Sequence, residues 1–278
     1  MPPLLCVKKN GRKFMRRSRS VSAAILAAAV LMSGCFAAAP EEFSTPPAVV
    51  RRTTSPITLD GRLDEPVWAE AVRHDLTPVN VRSGLAPREA ERAARDAFQP
   101  GRVRFLHDDA FLYVGAELED RDIINFRAEN QTRLFRYGDL LELFLKPRDG
   151  NCCWELYAAP NGARSSFFYP GCAMIGLEHI YEEDPARLMP DFSVAVRLNG
   201  TLNRHEDRDG GWSVEMRIPL RELARSTGVA FAPGQRWVLL AARCNYGADL
   251  YLQQPSTFPR LPMRGYHQHQ YYAPVEFR

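Results

Sequence analysis

From Ala110 onward the chain alternates between apolar and mixed positions. Leu112, Val114, Ala116 and Leu118 fall on one side of an extended segment, and Phe111, Tyr113, Gly115 and Glu117 on the other. A period of two marks a strand with one buried face. Leu140 to Leu145 repeats it: Leu141, Leu143 and Leu145 share one face, and Leu140, Glu142 and Phe144 share the opposite one. Further strands are predicted at Cys153 to Ala158, Ser165 to Tyr169, Phe192 to Leu198, Trp212 to Ile218, Trp237 to Cys244 and Val275 to Phe277. Residues that tolerate positive φ punctuate them at Asp149-Gly150-Asn151, Asn161-Gly162, Asn199-Gly200 and Asp209-Gly210-Gly211. Helices are few: Glu65 to Val72, Pro87 to Phe98, and Pro219 to Ser226, the last opened by a proline suited to a first turn. Strands joined mainly by turns predict an all-β fold, a two-sheet antiparallel β-sandwich with a few short helices. Trp68, Trp154, Trp212 and Trp237 lie in patterned segments and are expected in its core.

The N-terminus follows another pattern. Lys8, Lys9, Arg12, Lys13, Arg16, Arg17 and Arg19 precede the apolar run Val21 to Met32, which ends in the small residues Ser33 and Gly34 before Cys35. A basic region followed by a short apolar run reads as an export signal, since a stable span needs roughly 20 apolar residues. The Leu31-Met32-Ser33-Gly34-Cys35 run looks like a bacterial lipobox, which would make residues 1–34 a lipoprotein signal peptide and Cys35 the lipidated N-terminus. Ordinary cleavage near Ala39 and a twin-arginine route through Arg16-Arg17 are the alternatives. Lipidation would hold the chain at a membrane surface of the bacterial cell envelope, facing the periplasm or the exterior. Residues 35–56, rich in Pro, Glu, Ser and Thr around Pro40 to Pro56, are expected to be a flexible tether. Residues 57–278 then form one domain.

Charge changes once the leader is set apart. The chain carries Lys+Arg 36 and Asp+Glu 33, a formal net charge of +3; residues 1–34 hold seven of the cations and none of the acids, which leaves 29 against 33. The basicity belongs to the export signal, and nucleic acid is excluded as a partner for want of a compact basic stripe. Among the cysteines, Cys6 goes with the leader, while Cys152, Cys153, Cys172 and Cys244 would face an oxidising compartment. Adjacent residues in a strand point to opposite faces, so either Cys152 or Cys153 is expected to bridge to Cys172, with plain buried cysteine as the alternative. Zinc is disfavoured because no ligand pair has the C-x₂₋₄-C spacing.

Two stretches, ITLDGRLDEPVWAEA at Ile57 to Ala71 and VRFLHDDAFLYVGAELED at Val103 to Asp120, resemble the start of family 9 carbohydrate-binding modules. The likeness continues in order through GDLLELFLKP, WELYAAPNG, GGWSVEMRIPLREL and the terminal GYHQHQYYAPVEF, over about Ile57 to Arg278. It implies a sugar-binding β-sandwich, non-catalytic and acting beside glycoside hydrolases or importers in polysaccharide breakdown or uptake. Sugar sites combine aromatic faces for the C–H side of the ring with planar polar groups for hydroxyls. On the segments where the family keeps its site, this chain carries Tyr137 beside Arg136 in the first loop and Tyr266 and His267 before the last strand. The family tryptophans are absent from both. Glu142 matches the acid of a D-x-x-E-x-F pattern, and Glu155 lies near it if the two strands pair; Arg243 and Asn245 match a polar stretch. The bland alternatives are Tyr137 and Tyr266 as rim aromatics and Glu142 as a buried partner of Arg243.

The family can hold structural calcium, for which Asp108-Asp109 and Asp120-Arg121-Asp122 are the candidates, although both read as turns. His267 and His269 are metal candidates of the same kind. Two rival functions stay open: a glycoside hydrolase using Glu142 and Glu155, and a structural or interaction sandwich that has lost its sugar site. No G-x-S-x-G, H-E-x-x-H or phosphate loop occurs. For the anchor, palmitate labelling in a bacterial host is expected to mark the chain and to vanish in Cys35→Ala; label retained by that variant refutes the lipobox reading.

Overall fold

The computed structural model describes residues 45–79, 85–171, 188–263 and 265–278. Strands β1 (Ala48–Arg52), β2 (His74–Asp75), β3 (Thr77–Pro78), β4 (Gly101–His107) and β5 (Phe111–Leu118) come first. They are followed by β6 (Leu140–Pro147), β7 (Cys153–Ala158), β8 (Arg164–Tyr169), β9 (Ser193–Asn199) and β10 (Gly211–Pro219). The series closes with β11 (Trp237–Cys244), β12 (Ser256–Phe258) and β13 (Ala273–Phe277). Three short helices, α1 (Pro66–Glu70), α2 (Pro87–Ala93) and α3 (Leu220–Thr227), punctuate the strands. The described chain is mostly β, and every strand and helix expected from the alternation is present. β1, β2, β3, β4 and β12 were not foreseen.

The strands pair in the order β8-β7-β6-β11-β13-β1-β4-β5-β10-β9, a single hydrogen-bonded sheet that wraps nearly closed around its core. The expected all-β character with a few short helices is present, while the two halves expected as sheets of a sandwich are joined edge to edge through β13 and β1. β1 joins the halves and runs parallel to both neighbours, with Ala48 opposite Val275 and Val50 opposite Phe105. It also corrects the tether, because Ala48, Val49 and Val50 are buried strand residues rather than a flexible linker. Three apolar residues in a row suffice for a central strand buried on both faces.

Alternation then divides the side chains into an inner and an outer set. Leu112, Val114, Ala116 and Leu118 of β5 and Trp212, Val214, Met216 and Ile218 of β10 meet Leu141, Leu143 and Leu145 of β6 across one core. Trp154, Leu156 and Ala158 of β7 and Trp237, Leu239 and Ala241 of β11 complete that core. The outer face of β6, β7, β8 and β11 carries two smaller clusters instead, covered by the segments around Leu134–Phe135 and Leu261–Tyr272. A covered outer face allows a recess between sheet and loops.

On the other half, the turn at Gly61 is held against β10. Glu215 accepts the backbone N–H of Asp60 at 2.9 Å and of Gly61 at 2.7 Å, together with Trp68 Nε1 at 3.0 Å. Gly61 has φ +81°, and a Cβ there would lie 2.7 Å from the backbone of Val196. Burial of Trp68 behind this turn secures the N-terminal segment over β4 and β5.

The seam strand provides a direct check of this architecture. Val50→Asp places a carboxylate at a fully buried position and is expected to lower stability by more than about 3 kcal/mol. Arg52→Ala, at the exposed end of β1, should change it little. Denaturant unfolding of both variants reads the difference, and equal effects would contradict the placement of β1.

Candidate functional site

The outer face of the β6–β7–β8–β11 half floors a recess of about 430 Å³. Register fixes what stands on it. Glu142 lies opposite Tyr157 and Phe144 opposite Glu155, while Glu155 lies opposite Phe167 of β8 and Ala242 of β11 opposite Glu142. Because alternation sends Leu141, Leu143 and Leu145 inward, Glu142 and Phe144 must face out; the same rule turns Glu155 and Tyr157 toward the recess. Phe167, Tyr169 and Cys244 complete the floor, and Arg133, Phe135, Tyr246, Tyr266 and His267 form the wall.

Four of the seven residues proposed from the sequence therefore meet. Glu142, Glu155, Tyr266 and His267 line one recess. The rings of Phe144 and Tyr266 are edge-to-face at 5.8 Å, those of Phe144 and His267 at 5.6 Å, and those of Tyr157 and Phe167 at 5.5 Å. Edge-to-face pairs hold each other's orientation, so the aromatic wall is set before any ligand arrives.

The other three lie elsewhere. Arg243 shares the parity of Trp237, Leu239 and Ala241, so it enters the interior. There it is fully buried and donates to Gln99 O at 3.0 Å, Glu119 O at 2.6 Å, Asp120 Oδ2 at 3.1 Å and Asn245 Oδ1 at 2.7 Å. Asn245 belongs to that network. Arg243 is consequently no partner of Glu142, which removes the bland pairing considered for that acid. Tyr137 sits at the surface beside the exposed Phe126, with the Arg127 guanidinium 5.4 Å from its ring. Its neighbour Phe135 reaches the recess in its place.

Phe144, Tyr157, Phe167, Tyr169 and Cys244 were not foreseen as site residues, although Phe144 was placed on the face of Glu142. The alternation of β6, β7 and β11 that exposed Glu142 carried the signal for Phe144, Tyr157 and Cys244 as well.

Electrostatics follow from burial. Loss of solvent raises the Glu142 carboxyl to about 8; the Cys244 thiol, donating to its Oε1 at 3.2 Å, opposes the rise, and the nearby Glu155 adds to it. A carboxyl moved this far is neutral at neutral pH. Burial also pushes the Cys244 thiol and the Tyr157 and Tyr266 phenols well up, so all three remain protonated. Glu155 accepts Tyr157 Oη at 2.5 Å and meets His267 Nε2 at 2.8 Å. The phenol of Tyr266 donates to the carbonyl of Arg243 at 3.2 Å, and Tyr272 Oη to the carbonyl of Tyr266 at 2.9 Å, so the wall is tied to the floor.

The calcium candidates do not converge. Asp108 accepts the N–H groups of Ala110 and Phe111 and the phenol of Tyr113, and Asp120 takes Trp212 Nε1 and Arg243. Asp122 is engaged by His205 and by the N–H of Ala248. Among the described residues no three His, Cys, Asp or Glu side chains converge to hold a metal ion. His267 is turned to Glu155, and His269 stacks edge-on to Tyr272. Cys153 is buried in an outer-face cluster and the preceding Cys152 is half-buried, whereas the expected bridge to Cys172 lies outside the described residues.

No protein-family model and no curated protein matches the sequence. Solved structures do match. One is the crystal structure of a "putative carbohydrate-binding protein" from Bacteroides uniformis ATCC 8492, at 12% identity and a TM-score of 0.58, covering 84% of this chain and 100% of that one. The chain shares that fold. Two structures of a family 9 carbohydrate-binding module from Caldicellulosiruptor kristjanssonii, in complex with cellotriose and with glucose, match at 11% identity and TM-scores of 0.49. They cover 83% of this chain and 93% and 95% of their own.

The Glu142 carboxyl gives a pH signature of stability. An acid that ionises in the unfolded chain near its usual value, but in the folded chain only near 8, makes the folded state bind more protons between those values. Stability should therefore fall as pH rises from about 4.5 toward about 8. Glu142→Gln is expected to flatten that slope and to be the more stable form at the alkaline end. Urea unfolding across this window checks it, and parallel profiles for the two proteins would refute the buried acid.

Proposed function

We propose that the chain binds carbohydrate in this recess without cleaving it. The observation that carries the reading is the meeting of Glu142, Glu155, Tyr266 and His267 with a wall of rings in one hollow of about 430 Å³. That volume lies in the range of small-molecule sites, where apolar walls and a few convergent polar groups are the rule. Rings cover the C–H face of a sugar, and the acids and His267 meet its hydroxyls. The solved structure that shares the fold is described as carbohydrate-binding, which supports the same reading.

The finer picture belongs to the proposal too. The wrapped sheet works as a double-layered sandwich with β1 and β13 as its seam. The chain is a lipoprotein of a bacterial cell envelope, anchored through Cys35, and it holds poly- or oligosaccharide for glycoside hydrolases or importers.

One observation favours a second reading. A carboxyl held neutral to about 8 near a second carboxyl in the same recess is the kind of pair a glycosidase uses as acid and as nucleophile or base. Release of reducing sugar that disappears in Glu142→Gln would establish it. Binding predicts instead that affinity electrophoresis retains the protein on an oligo- or polysaccharide gel without sugar release. Retention should weaken by about tenfold or more in Glu142→Ala and in Tyr266→Ala. Absence of retention on any plant or microbial glycan refutes the sugar site and leaves a structural or interaction sandwich.

A further inference from the structure

We infer that the ligand is a glycan chain longer than the recess, and that where it leaves the hollow it runs over an exposed shelf formed by Phe126 and Tyr137. The inference rests on the proposed binding role and extends it from a pocket to a path. Phe126 is 62% exposed and Tyr137 38%, and neither lines the recess. Asn125 and Gly138 form an antiparallel bridge, and the N–H of Phe126 donates to Tyr137 O at 3.0 Å, which sets the two ring-bearing residues side by side.

Three asparagines fix the backbone beneath these rings. The buried Asn125 donates its Nδ2 to Asp139 O at 3.0 Å and accepts the N–H of Arg127 at 3.0 Å. Asn203 accepts the N–H of Asn125 at 2.9 Å and returns its Nδ2 to Asn125 O at 3.1 Å. Asn161 donates its Nδ2 to Arg127 O at 2.7 Å. Phe126 thus stands in water with hydrogen-bonded backbone on both sides of it. A platform ordered in advance costs little further entropy when a ligand stacks on it.

Planar polar groups flank both rings. The Arg127 guanidinium lies 5.4 Å from the centre of the Tyr137 ring, and the His205 ring 6.4 Å from that of Phe126. Asp122 engages His205 Nδ1 at 2.9 Å, a hydrogen bond that raises the imidazole's pKa and leaves Nε2 as the nitrogen for a ligand. Rings with a guanidinium and an imidazole beside them suit the C–H face and the hydroxyls of a sugar. A protein partner is marked by a wide contiguous apolar patch instead, and here a charged or polar side chain stands next to each ring.

The course of the chain joins shelf to recess. Phe135 lines the recess and Tyr137 belongs to the shelf, one on either side of Arg136 at the 3₁₀ turn Leu134–Arg136. Two residues reach at most about 7 Å, so the edge of the hollow and the shelf are neighbours. Tyr246 Oη donates to Phe135 O at 2.9 Å, and Asp139 accepts the N–H groups of Ile124 and Tyr246 at 2.7 Å, so both are tied to one frame. Successive units of a glycan offer the same faces and hydroxyls again, which lets one chain use both surfaces.

Calorimetric titration of the full chain with the two-unit and six-unit members of the cello-, xylo- and manno-oligosaccharide series tests this. In the series that binds, the hexamer is expected to bind about thirtyfold more tightly than the dimer. Phe126→Ala combined with Tyr137→Ala should leave dimer affinity unchanged and bring the hexamer within about fivefold of it, the margin that extra binding registers alone provide. Both positions are exposed, so denaturant unfolding of this variant should match the unmodified chain. A hexamer no tighter than the dimer, a hexamer advantage that survives the double substitution, or dimer affinity lost together with the hexamer's each overturns the shelf and leaves the recess standing. Binding of no member of any series overturns both.

Discussion

A carboxyl group kept out of water sets the terms for everything around it. Glu142 stands on the outer face of a central strand, yet loops cover that face so closely that the acid is fully buried and rises to about 8. A lone ionised carboxylate in such surroundings would cost several kcal/mol, so the group stays protonated and its neighbours stay neutral with it. Cys244, Tyr157 and Tyr266 are the side chains that a protonated acid tolerates. They are also polar enough to meet the ligand proposed for the recess.

The interior holds a second buried acid cluster with the opposite solution. Asp120 and Asp139 lie between the layers, and burial raises both, Asp139 further because of the Asp120 charge beside it. Here the fold supplies its own cation. Arg243 joins Asp120, and its terminal NH groups also reach the carbonyls of Gln99 and Glu119 and Asn245 Oδ1. Asp139 spends its two oxygens on the N–H groups of Ile124 and Tyr246, fixing the loops that wall the recess. One cluster is closed by an arginine and serves the architecture; the other keeps Glu142 protonated beside the Cys244 thiol and opens to solvent through the recess.

Strand parity decided what could be read before the structure was known. Leu141, Leu143 and Leu145 are apolar at every second position, and that regularity alone turned Glu142 outward. The same rule applied to Trp237, Leu239 and Ala241 places Arg243 inward, where the sequence similarity to a polar family stretch had suggested a surface residue. β1 escaped notice because its three apolar residues sit in a Pro-rich, Thr-rich setting, and its burial comes from β4 and β13, which lie far away in sequence. Tyr137 and Phe135 are two residues apart in a 3₁₀ turn, and no periodicity tells which of them points into the hollow. Local pattern thus reached the floor of the site, whereas the wall depended on loops whose packing is set by tertiary contacts.

The central claim is that the hollow over β6 and β7 is where a glycan sits. A crystal structure of the protein soaked with an oligosaccharide tests it most directly. The account predicts a sugar ring against Phe144 and Tyr266 with polar atoms at Glu142 and Glu155. A ring found instead on the exposed Phe126 and Tyr137, with the hollow holding only water, would contradict it.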